Sequence, residues 1–356
     1  MNFSKKINQL RRSLMHRITK NIGNSNLVGD SNCDAKIEIK RILICRPNQR
    51  LGNLLLITPL VQELITTFPE CKIDLLVKGF LAPTLFENYK NVNLIFQLPK
   101  RPFKHLIKYL QVWLSIKKQK YDIVINVDEN SSSGRIATQF SNSKNKFFGG
   151  ANKAIQVKQE NDEHIAKYPV YNFRSYLTQL GFEKNDSPIA SLNLKLSPFE
   201  IAEGKKSLNS LVSKEKKTIC LFTFATGDKC NSGLWWENFY ERLKTEYPNY
   251  NIIEVLPIEN VSQIAFKAPT FYSKDVRQIG SLIANTQLFI GTDSGIMHLS
   301  SSVFTPTLGL FSVSDLKKYS PYNNRSIGIN TNDSNNDEII KVLNGILNHK
   351  LMTYNI

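Results

Sequence analysis

The 356-residue chain predicts an α/β protein built from two halves, and three observations carry that reading. An apolar run, Arg41-Ile42-Leu43-Ile44-Cys45, leads through a loop and an apolar helix to a second apolar run at 72–77, which is a βαβ unit. Far downstream, Leu288-Phe289-Ile290 breaks at Gly291 into a polar turn, then resumes as Ile296, Met297, Leu299 and Val303 at helical spacing. Between the two, 184–217 turns polar and charged, with Pro188 and Pro198, and the composition places an interdomain junction there. Two such halves, each with loops at its strand carboxyl ends, imply a ligand cleft.

Hydrophobic residues at 41% and charged residues at 21% are globular values. The 46 Lys and Arg exceed the 30 acids, a formal net charge of +16. So basic a balance points to a polyanionic neighbour: an anionic membrane surface, a phosphorylated substrate or nucleic acid. Nucleic acid has no further support, because no recognition motif is present and the basic residues are not interleaved with aromatics. Five cysteines without a C-x-x-C pair fit a reducing compartment and argue against a structural metal or disulfide framework. No apolar run is long enough to span a bilayer, and the amino terminus lacks a signal-peptide core. A cytoplasmic location is expected, with association at the membrane face.

Residues 1–22 read as a basic amphipathic helix, with Phe3, Ile7, Leu10, Leu14 and Ile18 on one face and Lys5, Lys6, Arg11, Arg12, Arg17 and Lys20 around the rest. It suits an anionic membrane surface or a helix docked on the domain with a solvated basic face. A linker follows at 21–35. After the strand at 41–45, the loop Arg46-Pro47-Asn48-Gln49-Arg50-Leu51-Gly52-Asn53 occupies the place where such sheets face ligand, so Arg46, Arg50 and Asn53 are candidates. No G-x-G-x-x-G is present, which removes the dinucleotide fingerprint. Strands are expected at 92–96 and 121–127 with a helix at 103–116 between them. The latter strand ends at Asp128-Glu129, and Arg135 follows on a helix. His164 opens a stretch to Tyr176; a loop histidine there is a phosphate ligand, a base, or neither.

The second half opens with a strand at 218–223. Its loop carries Thr226, Gly227 and Lys229: a hydroxyl, an open backbone amide and an ammonium, each suited to an anion. Trp235-Trp236 enters a helix reaching Leu243. A strand at 251–256 ends near Glu259, which is placed to accept from a ribose diol or to lie on the surface. The turn Gly291-Thr292-Asp293-Ser294-Gly295-Ile296-Met297-His298 leaves free backbone N–H groups at a helix N-terminus, the ordinary setting for a bound phosphate. Gly295 lets backbone approach a ligand, Ser294 adds a donor, and Asp293 caps the helix or orients the turn. A strand at 307–311 and a helix at 336–350 complete the half.

These residues resemble glycosyltransferase family 9, the ADP-heptose:lipopolysaccharide heptosyltransferases. Leu51-Gly52-Asn53, Thr58-Pro59, Phe68-Pro69 and the strand from Ile73 are similar to the family's amino-terminal signature, and 291–298 is similar to its nucleotide-diphosphate motif. The resemblance covers nearly everything beyond residue 38. It implies a GT-B architecture, two Rossmann-like domains facing across a cleft, here 39–190 on the acceptor side and 191–335 on the nucleotide-sugar side, with 1–38 as the basic helix and linker and 336–356 as a terminal helix. It implies inverting, metal-independent transfer without a cofactor, from a nucleotide-diphosphate sugar to a lipid-linked glycan acceptor at the anionic inner-membrane surface. Asp293, Ser294, Gly295 and His298 would serve the diphosphate with Thr226, Gly227 and Lys229, Glu259 the ribose, and Arg46, Arg50 and Arg135 the acceptor.

The sequence departs from the family twice. The carboxylate that follows Leu-Gly, thought to be the general base, is Asn53 here, and an amide takes no proton near neutral pH. Asp128 or Glu129 then serves as base, or Asn53 only positions the acceptor, or the protein is a degenerate nucleotide-sugar- or glycan-binding relative. The lysine usual two residues before the tryptophan of the second-domain loop is also missing, and Lys229 lies farther back.

Overall fold

The computed structural model describes residues 13, 17, 19, 22–23, 38–101, 104–149 and 164–348. The helix expected over 1–22 and the linker after it fall almost wholly outside the described residues. The chain forms two compact units. One takes the described residues up to Gln49, with those of Pro59–Pro83 and Tyr89–Ala190; the other takes Arg50–Thr58, Thr84–Asn88 and the described residues from Ser191 onward.

The first unit is a parallel sheet of β1 (Arg41–Cys45), β2 (Lys72–Lys78), β3 (Val92–Leu98), β4 (Ile123–Asn126) and β5 (Asn145–Phe147), in the order β3-β2-β1-β4-β5. Helices cover a parallel sheet on both faces, so its central strands are apolar throughout rather than alternating. Ile42, Leu43, Ile44 and Cys45 are all fully buried. One exception is Asp74 on β2, buried because Arg41 pairs with it and the Tyr121 hydroxyl and Leu94 N–H donate to it.

The second unit is a parallel sheet of β6 (Lys217–Phe222), β7 (Tyr250–Val255), β8 (Thr270–Phe271), β9 (Leu288–Thr292), β10 (Thr307–Phe311) and β11 (Ile327–Asn330), in the order β11-β10-β9-β6-β7-β8. Trp236, Phe239 and Leu243 of the Gly233–Glu246 helix and Ile339 and Leu343 of the Asn336–Leu347 helix pack on one face of it.

Both sheets are doubly wound, and each has a point where the strand order reverses: between β1 and β4 in the first, between β6 and β9 in the second. Loops leaving adjacent carboxyl ends there diverge and leave room for a ligand.

The structure corrects two local readings. The polar stretch at 184–217 is not a plain junction, since Pro198–Leu211 is a helix opened by a full capping box between Ser197 and Glu200. The single helix expected after the first loop is two, Leu51–Leu55 and Thr58–Thr67, and the Thr58 hydroxyl donates to the Leu55 carbonyl where they part.

Candidate functional site

In the second unit, β9 delivers Asp293 and Ser294 to the amino end of the Gly295–Ser302 helix. Ser294 is the N-cap, with its hydroxyl oxygen accepting from the Met297 N–H at 3.3 Å. Asp293 is therefore not the cap. It is buried, and its carboxylate accepts from the Lys229 ammonium at 2.5 Å. Lys229 comes from the loop after β6, so this ion pair bridges the two loops that flank the strand-order reversal. The Thr292 hydroxyl ties the same loops together by donating to the Phe224 carbonyl at 2.9 Å. Lys229 also lies 5.9 Å from the centre of the Tyr319 ring. Its side chain stays 41% exposed, and an ammonium with three donors can hold Asp293 and still reach an anion. Thr226 and Gly227 stand exposed on the same loop, and Gly227 takes a left-handed backbone (φ 69°).

The Leu51–Leu55 helix belongs to this unit and lies against the Gly295–Ser302 helix. A Cβ on Gly52 would come within 2.7 Å of the His298 ring, and one on Gly295 within 3.0 Å of Leu51. The two motifs singled out in the sequence thus meet glycine to glycine, Gly52 against Gly295 from 243 residues away (295 − 52), and only the absence of side chains allows it. His298 is buried under this contact. Asn53 is half-buried on the Leu51–Leu55 helix, and Arg50 precedes it as an exposed N-cap residue.

Glu259 is exposed on the loop after β7. The acid that organises this loop is one that sequence reasoning missed, Glu254. Its carboxylate accepts from the Thr223 hydroxyl and the Ser262 hydroxyl, each at 2.6 Å, inside a buried environment. The Ser262 oxygen in turn accepts from Ile264 N–H and Phe266 N–H, and the Thr223 oxygen from Gln263 N–H. Burial pushes the Glu254 carboxyl above its ordinary range, against the pull of the two hydroxyls. The available signal was a lone carboxylate inside the apolar run Ile252-Ile253-Glu254-Val255.

In the first unit, Arg46 follows β1 and Asp128 follows β4, again across the strand-order reversal. The buried Arg46 donates through Nη1 to Asp128 at 2.7 Å, and the Asn130 N–H donates to the other Asp128 oxygen. Glu129 is half-buried. Arg135 donates to the carbonyls of Thr19, Gly23 and Glu129 and lies over the Phe148 ring, which commits its guanidinium to local architecture. His164 is buried, and its Nδ1 accepts from the Ala166 N–H. Among the described residues, no group of three or more His, Cys, Asp and Glu is placed to hold a metal.

The pattern of Glycosyltransferase family 9 (heptosyltransferase) matches residues 273–343 of the chain, the stretch that contains β9 and the Gly295–Ser302 helix. Lipopolysaccharide heptosyltransferase 3 of Escherichia coli is 23% identical over 311 residues, covering 78% of this chain and 85% of that protein. Among solved structures, a family 9 glycosyl transferase from Veillonella parvula DSM 2008 superposes with a TM-score of 0.70 at 17% identity, covering 88% of this chain and 99% of that one. The Escherichia coli heptosyltransferase WaaC, solved with ADP, gives 0.63 at 13% identity, covering 86% and 99%. The two parallel sheets and these structural likenesses show the GT-B fold, the architecture of these glycosyltransferases. More particularly, the chain is similar to the heptosyltransferases of glycosyltransferase family 9, through the family pattern over 273–343 and the relative that covers 78% of it.

Proposed function

We propose that the protein transfers a sugar, heptose or a close relative, with inversion from an ADP-linked donor to a lipopolysaccharide-type or other lipid-linked glycan, without a metal, at the cytoplasmic face of the inner membrane. The observation that carries this is the Ser294-capped helix N-terminus with the Lys229–Asp293 pair beside it, at the strand-order reversal of the second unit. In such a transfer the acceptor oxygen bonds to the anomeric carbon as the bond to the diphosphate breaks. The leaving diphosphate gathers negative charge, and the amides before Met297, the Ser294 hydroxyl, Thr226, the Gly227 amide and Lys229 are donors suited to meet it. Gly295 lets the diphosphate approach, His298 packs beneath, and Glu259 takes the ribose. The solved relative with ADP favours the same nucleotide here.

The acceptor's hydroxyl proton needs a base. Asp128 or Glu129 takes that role and Asn53 positions the acceptor, with Arg46 and Arg50 on the acceptor side; Arg135, expected there too, spends its donors on local carbonyls. Both Asp128 oxygens already accept hydrogen bonds, which favours Glu129.

The test is calorimetry with ADP, UDP and GDP in the presence of a divalent chelator. ADP alone binds, and Lys229→Ala and Asp293→Ala abolish the binding; absence of binding by all three nucleotides refutes the donor-site assignment. A second reading rests on Asn53 itself: a degenerate relative that binds nucleotide sugar and glycan without transfer. Asn53→Asp separates the two. A gain in transfer rate marks a retuned enzyme, whereas nucleotide binding with no transfer by either form supports the degenerate reading.

A further inference from the structure

The Leu106–Lys118 helix of the first unit is apolar on two faces. Its inner face, Tyr109, Val112, Trp113 and Ile116, packs on Leu43, Cys45, Leu76 and Val124 of the core. Its outer face carries Leu106 (54% exposed), Ile107 (76%), Leu110 (59%) and Leu114 (58%). At 3.6 residues per turn these four fall within an arc of about 100°. Phe80, 62% exposed, adjoins them through Lys108, whose ammonium lies 5.2 Å from its ring centre. Single exposed leucines are ordinary, but a stripe of this size on one helix marks a surface that meets something.

Charge says what it meets. From residue 99 to 120 the chain has Lys100, Arg101, Lys104, Lys108, Lys117, Lys118 and Lys120 and no acid. Lys104, Lys108, Lys117 and Lys118 are exposed along the helix and at its ends. A protein partner would match such a face with local acids at fixed places. A bilayer rich in anionic lipid matches it everywhere, receiving the leucines at the headgroup–acyl boundary while the lysines reach the phosphates. Among the described residues no helix is long and apolar enough to cross a membrane, so this mode of contact is in-plane.

We propose that the outer face of the Leu106–Lys118 helix, with Phe80, docks the protein on an anionic lipid bilayer. The inference uses the proposed function only in that a lipid-linked acceptor resides there.

The experiment is cosedimentation of the full chain with vesicles of phosphatidylethanolamine and phosphatidylglycerol, holding neither nucleotide sugar nor glycan, so its failure leaves the donor-site reading untouched. The protein binds these vesicles and not phosphatidylcholine vesicles, and Leu110→Glu/Leu114→Glu lowers partitioning at least about tenfold. Because both positions are exposed, the thermal midpoint of this variant stays that of the parent. Arg11→Glu/Arg12→Glu, which alters the basic amino-terminal segment, lowers partitioning less. A Leu110→Cys variant carrying an environment-sensitive fluorophore shifts to the blue on binding. Equal binding of the two vesicle types, undiminished binding of the Leu110→Glu/Leu114→Glu variant, or absence of the blue shift overturns the proposal.

Discussion

Replacing Gly52 with alanine puts a methyl group where the His298 ring already stands. The added Cβ would be 2.7 Å from His298 Cδ2 and 3.5 Å from Gly295 Cα. The first distance is well inside van der Waals contact, and His298 is buried, so the ring cannot simply swing into solvent. Overfilling a packed interior costs about 1–3 kcal/mol. Alanine's better helix propensity returns about 1 kcal/mol. The net is a destabilisation of about 1 kcal/mol, read as a lowered urea midpoint with an unchanged slope. The strain falls on the first turn of the Gly295–Ser302 helix, where the proposed diphosphate is held. If about 1 kcal/mol of it appears in binding, ADP affinity in calorimetry falls about fivefold. His298→Ala in the same protein removes the ring and restores part of both losses, a coupling that a double-mutant cycle measures directly. A Gly52→Ala protein as stable as its parent and with the same nucleotide affinity refutes the packing argument. So does a double variant whose losses merely add.

Two further outcomes follow from two acids of the second unit, Glu200 half-buried and Glu254 buried. Arg277 holds Glu200 with two hydrogen bonds and also donates to the carbonyls of Thr84, Leu194 and Lys195, and it holds the Glu200 carboxyl down to about 2. The folded-state value is below the unfolded one, so this stabilisation is complete above the ordinary carboxylate value of 4.5 and is lost as pH falls toward 2. Arg277→Ala destabilises by about 3 kcal/mol at neutral pH and flattens the acid limb of a stability–pH curve. Glu254→Gln leaves either Thr223 or Ser262 without its acceptor and costs about 1–3 kcal/mol at neutral pH in urea denaturation. Hydrogen exchange should quicken at the amides of Gln263, Ile264 and Phe266, which hang from those two hydroxyls.

Strands buried on both faces stood out in the sequence, because runs such as Arg41–Cys45 or Thr307–Phe311 are short, apolar after the first residue and bounded by turn residues, as a fully buried strand requires. The edge strands of the second sheet did not: Ile327–Asn330 and Thr270–Phe271 are short and half-buried, with too little apolar signal to stand out. The Pro198–Leu211 helix was hidden by its polar face, although its capping residues Ser197 and Glu200 were in plain view. At the candidate site, the Asp293–Ser294–Gly295 turn could be located, but the division of labour between Asp293 and Ser294 needed coordinates. Partnerships over long separations were invisible. Nothing in the chain joins Arg46 to Asp128, Lys229 to Asp293, or Gly52 to His298, since each depends on which strands lie side by side. Arg135 shows the converse, a basic residue in a suggestive place whose donors go to local carbonyls.

The second unit is not one continuous piece of chain. Arg50–Thr58 and Thr84–Asn88 belong to it, yet they are translated more than a hundred residues before Ser191. A ribosome therefore releases part of the Gly295 seat long before the helix that will occupy it exists. During synthesis Leu51 and Gly52 have no final partner, and the first sheet must assemble with these excursions left over. A fragment starting at Ser191 would lack the surface on which Gly295 and His298 rest, together with the Thr84 carbonyl that accepts from Arg277. The proposed nucleotide seat thus depends on Arg50–Thr58 as well as on the carboxyl-terminal half.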